Sequence, residues 1–107
     1  MSYDVSLVIN TGYEDRTVVD IGNYTSNVAS MWNKALGYEF SELDGENCGN
    51  CLDDLRRAVN DMESNPIEYR KMNPANGWGD YEGALDFLDK LKRECARNPK
   101  AKIDMWY

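Results

Sequence analysis

The 107-residue sequence contains no histidine and no long hydrophobic run. Without histidine, the chain cannot build a histidine-containing catalytic triad, a histidine zinc site or a histidine general base. A membrane-spanning helix needs about 18 or more mostly apolar residues in succession, and no segment approaches that length. The first residues, Met1–Asp4, lack the basic and apolar regions of a signal peptide. We therefore expect a cytoplasmic protein with no membrane partner, no metal and no cofactor.

Basic residues are also scarce, because 12 lysines and arginines stand against 19 aspartates and glutamates and give a net charge of −7. This charge repels nucleic acid phosphates, so we expect no direct nucleic acid partner. The acidic residues of the middle third either form a solvated face that keeps the protein soluble or form a docking surface for a basic partner. These acidic residues are Glu42, Asp44, Glu46, Asp53, Asp54, Asp61, Glu63 and Glu68.

Three cysteines are present, and two of them form the pair Cys48-Gly49-Asn50-Cys51. A thioredoxin-like redox site places such a pair directly after a strand, whereas here an acidic loop precedes it. A zinc site would need a fourth ligand, and no histidine supplies one. The pattern therefore favours packing of Cys48, Cys51 and Cys95 in the core as small hydrophobic residues over a metal, redox or disulfide role.

The length corresponds to one domain, which we assign to residues 1–107. Apolar and polar residues alternate over residues 3–9 and 101–107, a pattern typical of half-buried strands. In the first of these segments, Tyr3, Val5, Leu7 and Ile9 are predicted to face the core. Residues 16–21 are rich in β-branched side chains and predict another strand, paired with the first as a hairpin.

Helices are predicted by apolar residues that recur every three or four positions. The first helix begins after a cap at Thr25 or Ser26 and ends at Gly37, and further helices cover about 48–63, 66–72 and 81–97, with Asn65 and Asp80 as caps. The expected fold is α+β, a small antiparallel or mixed sheet of about three strands with three or four helices packed on one face, in the order β-β-α-α-α-β. The apolar stripe of the first helix consists of Val28, Met31, Trp32, Ala35 and Leu36.

Two polar segments, 22–27 and 73–81, precede predicted helices. Unpaired N–H groups at a helix start suit a polar ligand, and the aromatic rings of these segments could stack on a planar group. The same residue types also serve as ordinary turn and cap residues, so both interpretations stay open. No nucleophile–base pair or phosphate-binding loop is visible, and we name no catalytic residue. The candidate binding residues are Asn23, Tyr24, Thr25, Asn73, Asn76, Trp78 and Tyr81.

The segments Gly22–Val28 and Met72–Glu82 resemble motifs of an uncharacterised family of small acidic proteins from actinobacteria and their phages. These motifs are GNYTxNV and NPxNGWGxYE, and the resemblance covers nearly the whole chain. The family has no assigned activity, so the resemblance transfers no catalytic residue. It implies a phage or prophage context, a cytoplasmic location and an accessory role.

The expected function is therefore non-enzymatic binding of a host or phage protein, as a phage-associated accessory protein or anti-defence inhibitor. The alternative is a protein that sequesters a nucleotide-like small molecule between Asn23–Asn27 and Asn73–Tyr81. If Ile103 and Met105 face the core, Trp106 faces outward on the last strand. Because an exposed tryptophan on a strand is a common anchor for another surface, we also predict a homodimer through this sheet face or edge.

Overall fold

Three strands and four helices make up the chain in a computed structural model that describes all 107 residues. The strands are β1 (Ser2–Asn10), β2 (Asp15–Thr25) and β3 (Lys102–Trp106). The helices are α1 (Ala29–Leu36), α2 (Cys48–Ser64), α3 (Pro66–Arg70) and α4 (Tyr81–Arg97), and short 3₁₀ helices cover Ser26–Val28 and Phe40–Leu43. The predicted α+β class is confirmed, and the sheet is antiparallel throughout.

The sheet has the strand order β2-β1-β3, so the first strand lies in its centre. β1 and β2 form the predicted hairpin, in which Ser2 lies opposite Thr25. β3 pairs with the other side of β1 and places Met105 opposite Val5. The start of β1 and the end of β2 therefore lie at the same end of the sheet.

The core lies between one face of the sheet and the helices. Val5 and Leu7 from β1 belong to the same buried cluster as residues from α1, α2 and α4. Trp32 of α1 is completely buried, and its indole N–H donates to the carbonyl of Ala84 at 3.0 Å. Its ring centroid lies 4.4 Å from that of Phe40. The apolar stripe predicted around Trp32 thus faces the core.

β2 is longer than the sequence predicts, because it continues to Thr25 instead of ending at residue 21. Gly22 adopts a φ of 120° beside a register shift in the hairpin, and this irregularity lets the strand continue. Asn23, Tyr24 and Thr25 pair with the start of β1. The strand propensity of these residues alone does not predict that pairing. Asn23, Tyr24 and Thr25 consequently lie on a strand and not in a loop.

Three further local predictions need correction. Ile9 was predicted to face the core, but its side chain is 38% exposed, whereas that of its neighbour Val8 is 5% exposed. The part of β1 that packs against the core therefore ends before Ile9. Asn65 precedes α3, but its amide donates back to the carbonyl of Asp61 at 2.9 Å instead of accepting from the first turn of α3. α3 ends at Arg70, two positions earlier than the sequence suggests.

Candidate binding cleft

The Trp78 loop, which we define as residues 73–79, connects α3 to α4. Gly77 and Gly79 have φ angles of 77° and 88°, values that residues with a side chain rarely adopt. The side-chain oxygen of Asn76 accepts the backbone N–H of Trp78 at 2.9 Å and closes a short turn. The loop thus holds its shape with its own polar groups and leaves Trp78 69% exposed.

The Trp78 loop and the start of α4 lie directly against the end of β2. A Cβ atom at Gly79 would approach Cγ2 of Thr25 to 2.5 Å, and one at Gly83 would overlap the hydroxyl of Tyr24. That hydroxyl accepts the backbone N–H of Asp80 at 3.2 Å. Glycine is therefore required at both positions for the two segments to meet this closely.

An open cleft lies where the Trp78 loop meets the end of β2 and the start of β1. Its volume is about 720 Å³, within the range of about 300–1,000 Å³ typical of ligand sites. We call it the Trp78 cleft. Its lining consists of Met1, Ser2, Asn23, Tyr24, Thr25, Asn27, Asn76, Trp78 and Gly79.

The side chains that line the Trp78 cleft are uncharged and include three carboxamides, two hydroxyl-bearing aliphatic residues and two aromatic rings. Asn23 uses its amide nitrogen for Ser2 and Asp4, each at 2.9 Å, which leaves its oxygen for a ligand. Asn76 uses its oxygen within the loop, which leaves its NH₂ group. The cleft can therefore hold a planar, uncharged group that both donates and accepts hydrogen bonds.

Five of the seven predicted binding residues line the Trp78 cleft: Asn23, Tyr24, Thr25, Asn76 and Trp78.

The structure does not place Asn73 and Tyr81 in the cleft. The side-chain oxygen of Asn73 accepts the backbone N–H of Tyr81 at 2.8 Å, close to the start of α4. Tyr81 is 4% exposed, and its hydroxyl donates to the carbonyl of Met62 at 2.7 Å. Both residues help to hold the loop and α4 in position, because the side-chain oxygen of Asn73 and the hydroxyl of Tyr81 each make a hydrogen bond within the protein.

Sequence reasoning missed Met1 and Ser2 as cleft residues, and it included Asn27 and Gly79 only as members of the two polar segments. Ser2 reaches the cleft because hairpin pairing puts it opposite Thr25. The predicted hairpin contained this signal, but its register could not be fixed while β2 was thought to end at residue 21.

The three cysteines lie in the core, with exposures of 0% for Cys48, 5% for Cys51 and 0% for Cys95. A hydrogen bond from the Cys95 thiol is the main cause that lowers the pKa of Cys48 and Cys51, and the same interactions raise the pKa of Cys95. No group of three or more cysteine, aspartate or glutamate side chains is arranged to hold a metal ion. The burial of the three cysteines matches their predicted role as small hydrophobic core residues.

A second, smaller cavity of about 330 Å³ lies among the acidic residues before and within α2. Tyr38 lines it and donates its hydroxyl to Asp54 at 2.8 Å. Burial and this hydrogen bond raise the pKa of Tyr38. Tyr69 makes a similar bond to Asp61, and its pKa is raised for the same reasons. The predicted docking role of the acidic residues stays a prediction.

Comparison with known protein families, curated proteins and solved structures found no match to this chain. The resemblance to small actinobacterial and phage proteins therefore stays a prediction. None of the helices is long and apolar enough to span a membrane. Function is consequently inferred from the cleft and from the surface around it.

Proposed function

We propose that this chain is a non-enzymatic binding protein that uses the Trp78 cleft to engage a host or phage protein. Its role would be that of a phage-associated accessory protein or anti-defence inhibitor in the host cytoplasm. The observation that carries the proposal is the meeting of the two predicted segments in one open cleft with Trp78 exposed in its lining. A tryptophan beside unsatisfied hydrogen-bonding groups is typical of the residues that dominate binding energy in protein interfaces.

The composition of the cleft supports binding over catalysis. Its lining contains no lysine, arginine, aspartate, glutamate or cysteine. Tyr24 is the one lining side chain with an ionisable group, and its hydroxyl already accepts the N–H of Asp80. The hydroxyl groups of Ser2 and Thr25 therefore have no histidine, lysine or carboxylate side chain beside them in the lining to act as a base for covalent catalysis.

The loop is also preorganised for a partner. The turn closed by Asn76 and the contact of Gly79 with Thr25 fix the backbone on both sides of Trp78. A side chain presented on a fixed backbone loses less conformational entropy when it is bound. This arrangement favours a role for the Trp78 ring as an anchor.

The decisive experiment compares Trp78→Ala with Tyr13→Ala. Both residues are exposed aromatics, and Tyr13 is 100% exposed in the hairpin turn outside the cleft. A partner is first isolated from host extract with the immobilised wild-type protein, and its affinity for each purified variant is then measured. Because an anchor residue contributes about 2 kcal/mol or more, we expect Trp78→Ala to weaken binding roughly 30-fold. Tyr13→Ala should leave the affinity unchanged.

The affinity comparison is interpreted together with thermal unfolding. The Trp78 ring is largely exposed, so the Trp78→Ala protein should melt within a few degrees of wild type. Wild-type affinity in a folded Trp78→Ala protein would show that the cleft is not the binding site.

The alternative function, sequestration of a nucleotide-like small molecule, is favoured by the volume of the cleft and its neutral carboxamide lining. A nucleobase is planar and carries both donors and acceptors along its edge. None of the lining side chains is a lysine or arginine that could hold a phosphate, so these side chains should contact the nucleoside part of such a ligand.

Thermal unfolding with individual nucleosides tests this alternative. A ligand present at about 100 times its Kd raises the free energy of unfolding by about 2.7 kcal/mol, which is easily measured. Sequestration predicts such a shift in the wild type and its loss in Trp78→Ala. Absence of a shift with every nucleoside, together with a Trp78-dependent protein partner, would leave protein binding as the function.

A further inference from the structure

The helices cover only one face of the sheet. Val5 and Leu7 point into the core, so the alternating residues of β1 point to the other side. We call this side the open sheet face and define it by three cross-strand rows. In these rows, Asp4 lies between Asn23 and Trp106, Ser6 lies between Asp20 and Asp104, and Val8, which is itself buried, lies between Thr17 and Lys102.

The open sheet face carries an excess of negative charge. Asp4, Asp20 and Asp104 form no ion pair within the protein, because all eight ion pairs involve other acidic residues. The one cation of the face, Lys102, lies 3.8 Å from Asp15 at the hairpin end. Since neighbouring strands are about 4.8 Å apart, the two aspartates that flank Ser6 lie about 10 Å from each other.

Trp106 adds a large aromatic surface to these carboxylates. It is 73% exposed, and its indole N–H donates to Asp104 at 3.2 Å. Asp4 lies directly opposite it on β1. A planar cation can stack on an indole ring while it pairs with a neighbouring carboxylate, and the guanidinium group of arginine fits both requirements.

The homodimer predicted from the exposed Trp106 would place a second copy of the chain on this face or its edge, and a second copy fits this surface poorly. Two open sheet faces placed together would bring three unpaired aspartates from each copy into contact, and like charges repel. The outer edge of β3 is also occupied, because Gly45 donates to the carbonyl of Ile103 at 2.8 Å and Ile103 donates to that of Glu46 at 2.9 Å. Charge complementarity therefore favours a basic partner.

We propose that the open sheet face docks a basic, arginine-containing segment of a partner protein, with a guanidinium group stacked on Trp106 and paired with Asp104 or Asp4. The inference rests on the proposed function in that it names the chemistry of a protein partner. It uses a surface beside the Trp78 cleft, and Asn23 is the one residue that belongs to both. Neutral variants of the aspartates therefore test it separately from Trp78→Ala.

The test uses a synthetic peptide of alternating arginine and glycine, about nine residues long so that it matches β1, and a matched lysine–glycine peptide. Binding is followed by amide and indole NMR shifts of the full chain. We expect shifts along the open sheet face and at the Trp106 indole. Arginine should bind more tightly than lysine, because lysine presents a point charge and does not stack as a plane.

Two double variants with equal loss of charge separate docking from general attraction. Asp20→Asn with Asp104→Asn neutralises the open sheet face, whereas Glu63→Gln with Asp86→Asn removes the same charge from exposed positions on α2 and α4. We expect the first pair to weaken the arginine peptide about tenfold and the second less than about twofold at 0.15 M salt. Trp106→Ala should also weaken the arginine peptide and reduce its advantage over lysine.

Equal losses in both double variants, or shifts spread over α2, would overturn the proposal, because they would indicate nonspecific attraction to an acidic protein. Concentration-dependent dimerisation that Trp106→Ala abolishes would also overturn it and would assign the face to a second copy. Peptide binding that survives Trp78→Ala but fails in the Asp20/Asp104 variant would support this face independently of the cleft. A partner that requires Trp78 but ignores both aspartates would support the cleft alone.

Discussion

Substitution of Gly83 by alanine places local propensity and tertiary packing in direct opposition. Gly83 is the third residue of α4, where alanine would favour the helix by about 0.5–1 kcal/mol. The added Cβ would overlap the hydroxyl of Tyr24 and lie 2.6 Å from its Cζ atom. Tyr24 would have to move away from the start of α4.

The structure gives the size of the effect. Forcing an extra carbon into a packed site costs about 1–3 kcal/mol. Displacement of Tyr24 also removes the hydrogen bond from Asp80, worth about 1 kcal/mol, and disturbs its stacking on Phe87 at 5.9 Å. After subtraction of the helix gain, we expect Gly83→Ala to lower the free energy of unfolding by about 1–3 kcal/mol.

Urea unfolding measures this difference through the midpoint, provided that the slope is unchanged. Ala96→Gly, at an exposed position near the other end of α4, serves as the propensity control and should lose up to about 1 kcal/mol. In a Tyr24→Ala background the obstacle is absent, so Gly83→Ala should stabilise by about 0.5–1 kcal/mol. A higher midpoint for Gly83→Ala in the wild-type background would refute the reasoning.

Two further outcomes follow from the buried rings and phenols. Trp32→Ala should lower the free energy of unfolding by about 3–5 kcal/mol, and Trp32→Phe by less, as measured by urea midpoints; an unchanged midpoint would contradict the burial of Trp32. The raised pKa values of Tyr38 and Tyr69 mean that the unfolded chain loses these phenol protons first, so stability should fall as the pH rises above about 10. The double variant Tyr38→Phe and Tyr69→Phe should reduce this fall, whereas Tyr13→Phe should not; equal pH profiles for all three proteins would count against the shifts.

The sequence reveals the parts of the fold that depend on local periodicity. The alternation of apolar and polar residues predicts that Leu7 and Ile103 face the core and that Trp106 faces outward. In the structure Leu7 and Ile103 are buried and Trp106 is exposed. The extension of β2 could not be predicted, because Gly22 and Asn23 are poor strand formers and their pairing partners lie some 20 positions away on β1. The residue pattern within β2 does not indicate which residues of β1 will pair with it.

The candidate site was predicted by composition but not in its internal bonding. The sequence named Asn76 and Trp78 as candidate binding residues and left open whether their segment is a ligand site or a set of ordinary turn residues. In the structure Trp78 is exposed, while the side-chain oxygen of Asn76 holds the turn of the loop. Asn76→Ala would therefore disturb the loop as well as binding, and Trp78→Ala is the cleaner variant. Such bonds depend on backbone torsions that residue types alone do not determine.

The position of β1 between β2 and β3 has a consequence for biosynthesis. Val5 and Met105 face each other across the sheet although they are about 100 residues apart in the chain. The hairpin of β1 and β2 can form as soon as Thr25 leaves the ribosome. The other neighbour of β1, the strand β3, is made only after α4. Until then one side of β1 has unpaired backbone groups, which makes the nascent chain prone to association with other strands. The row formed by Asn23, Asp4 and Trp106 is therefore assembled last, and the open sheet face is complete only after the whole chain has been made.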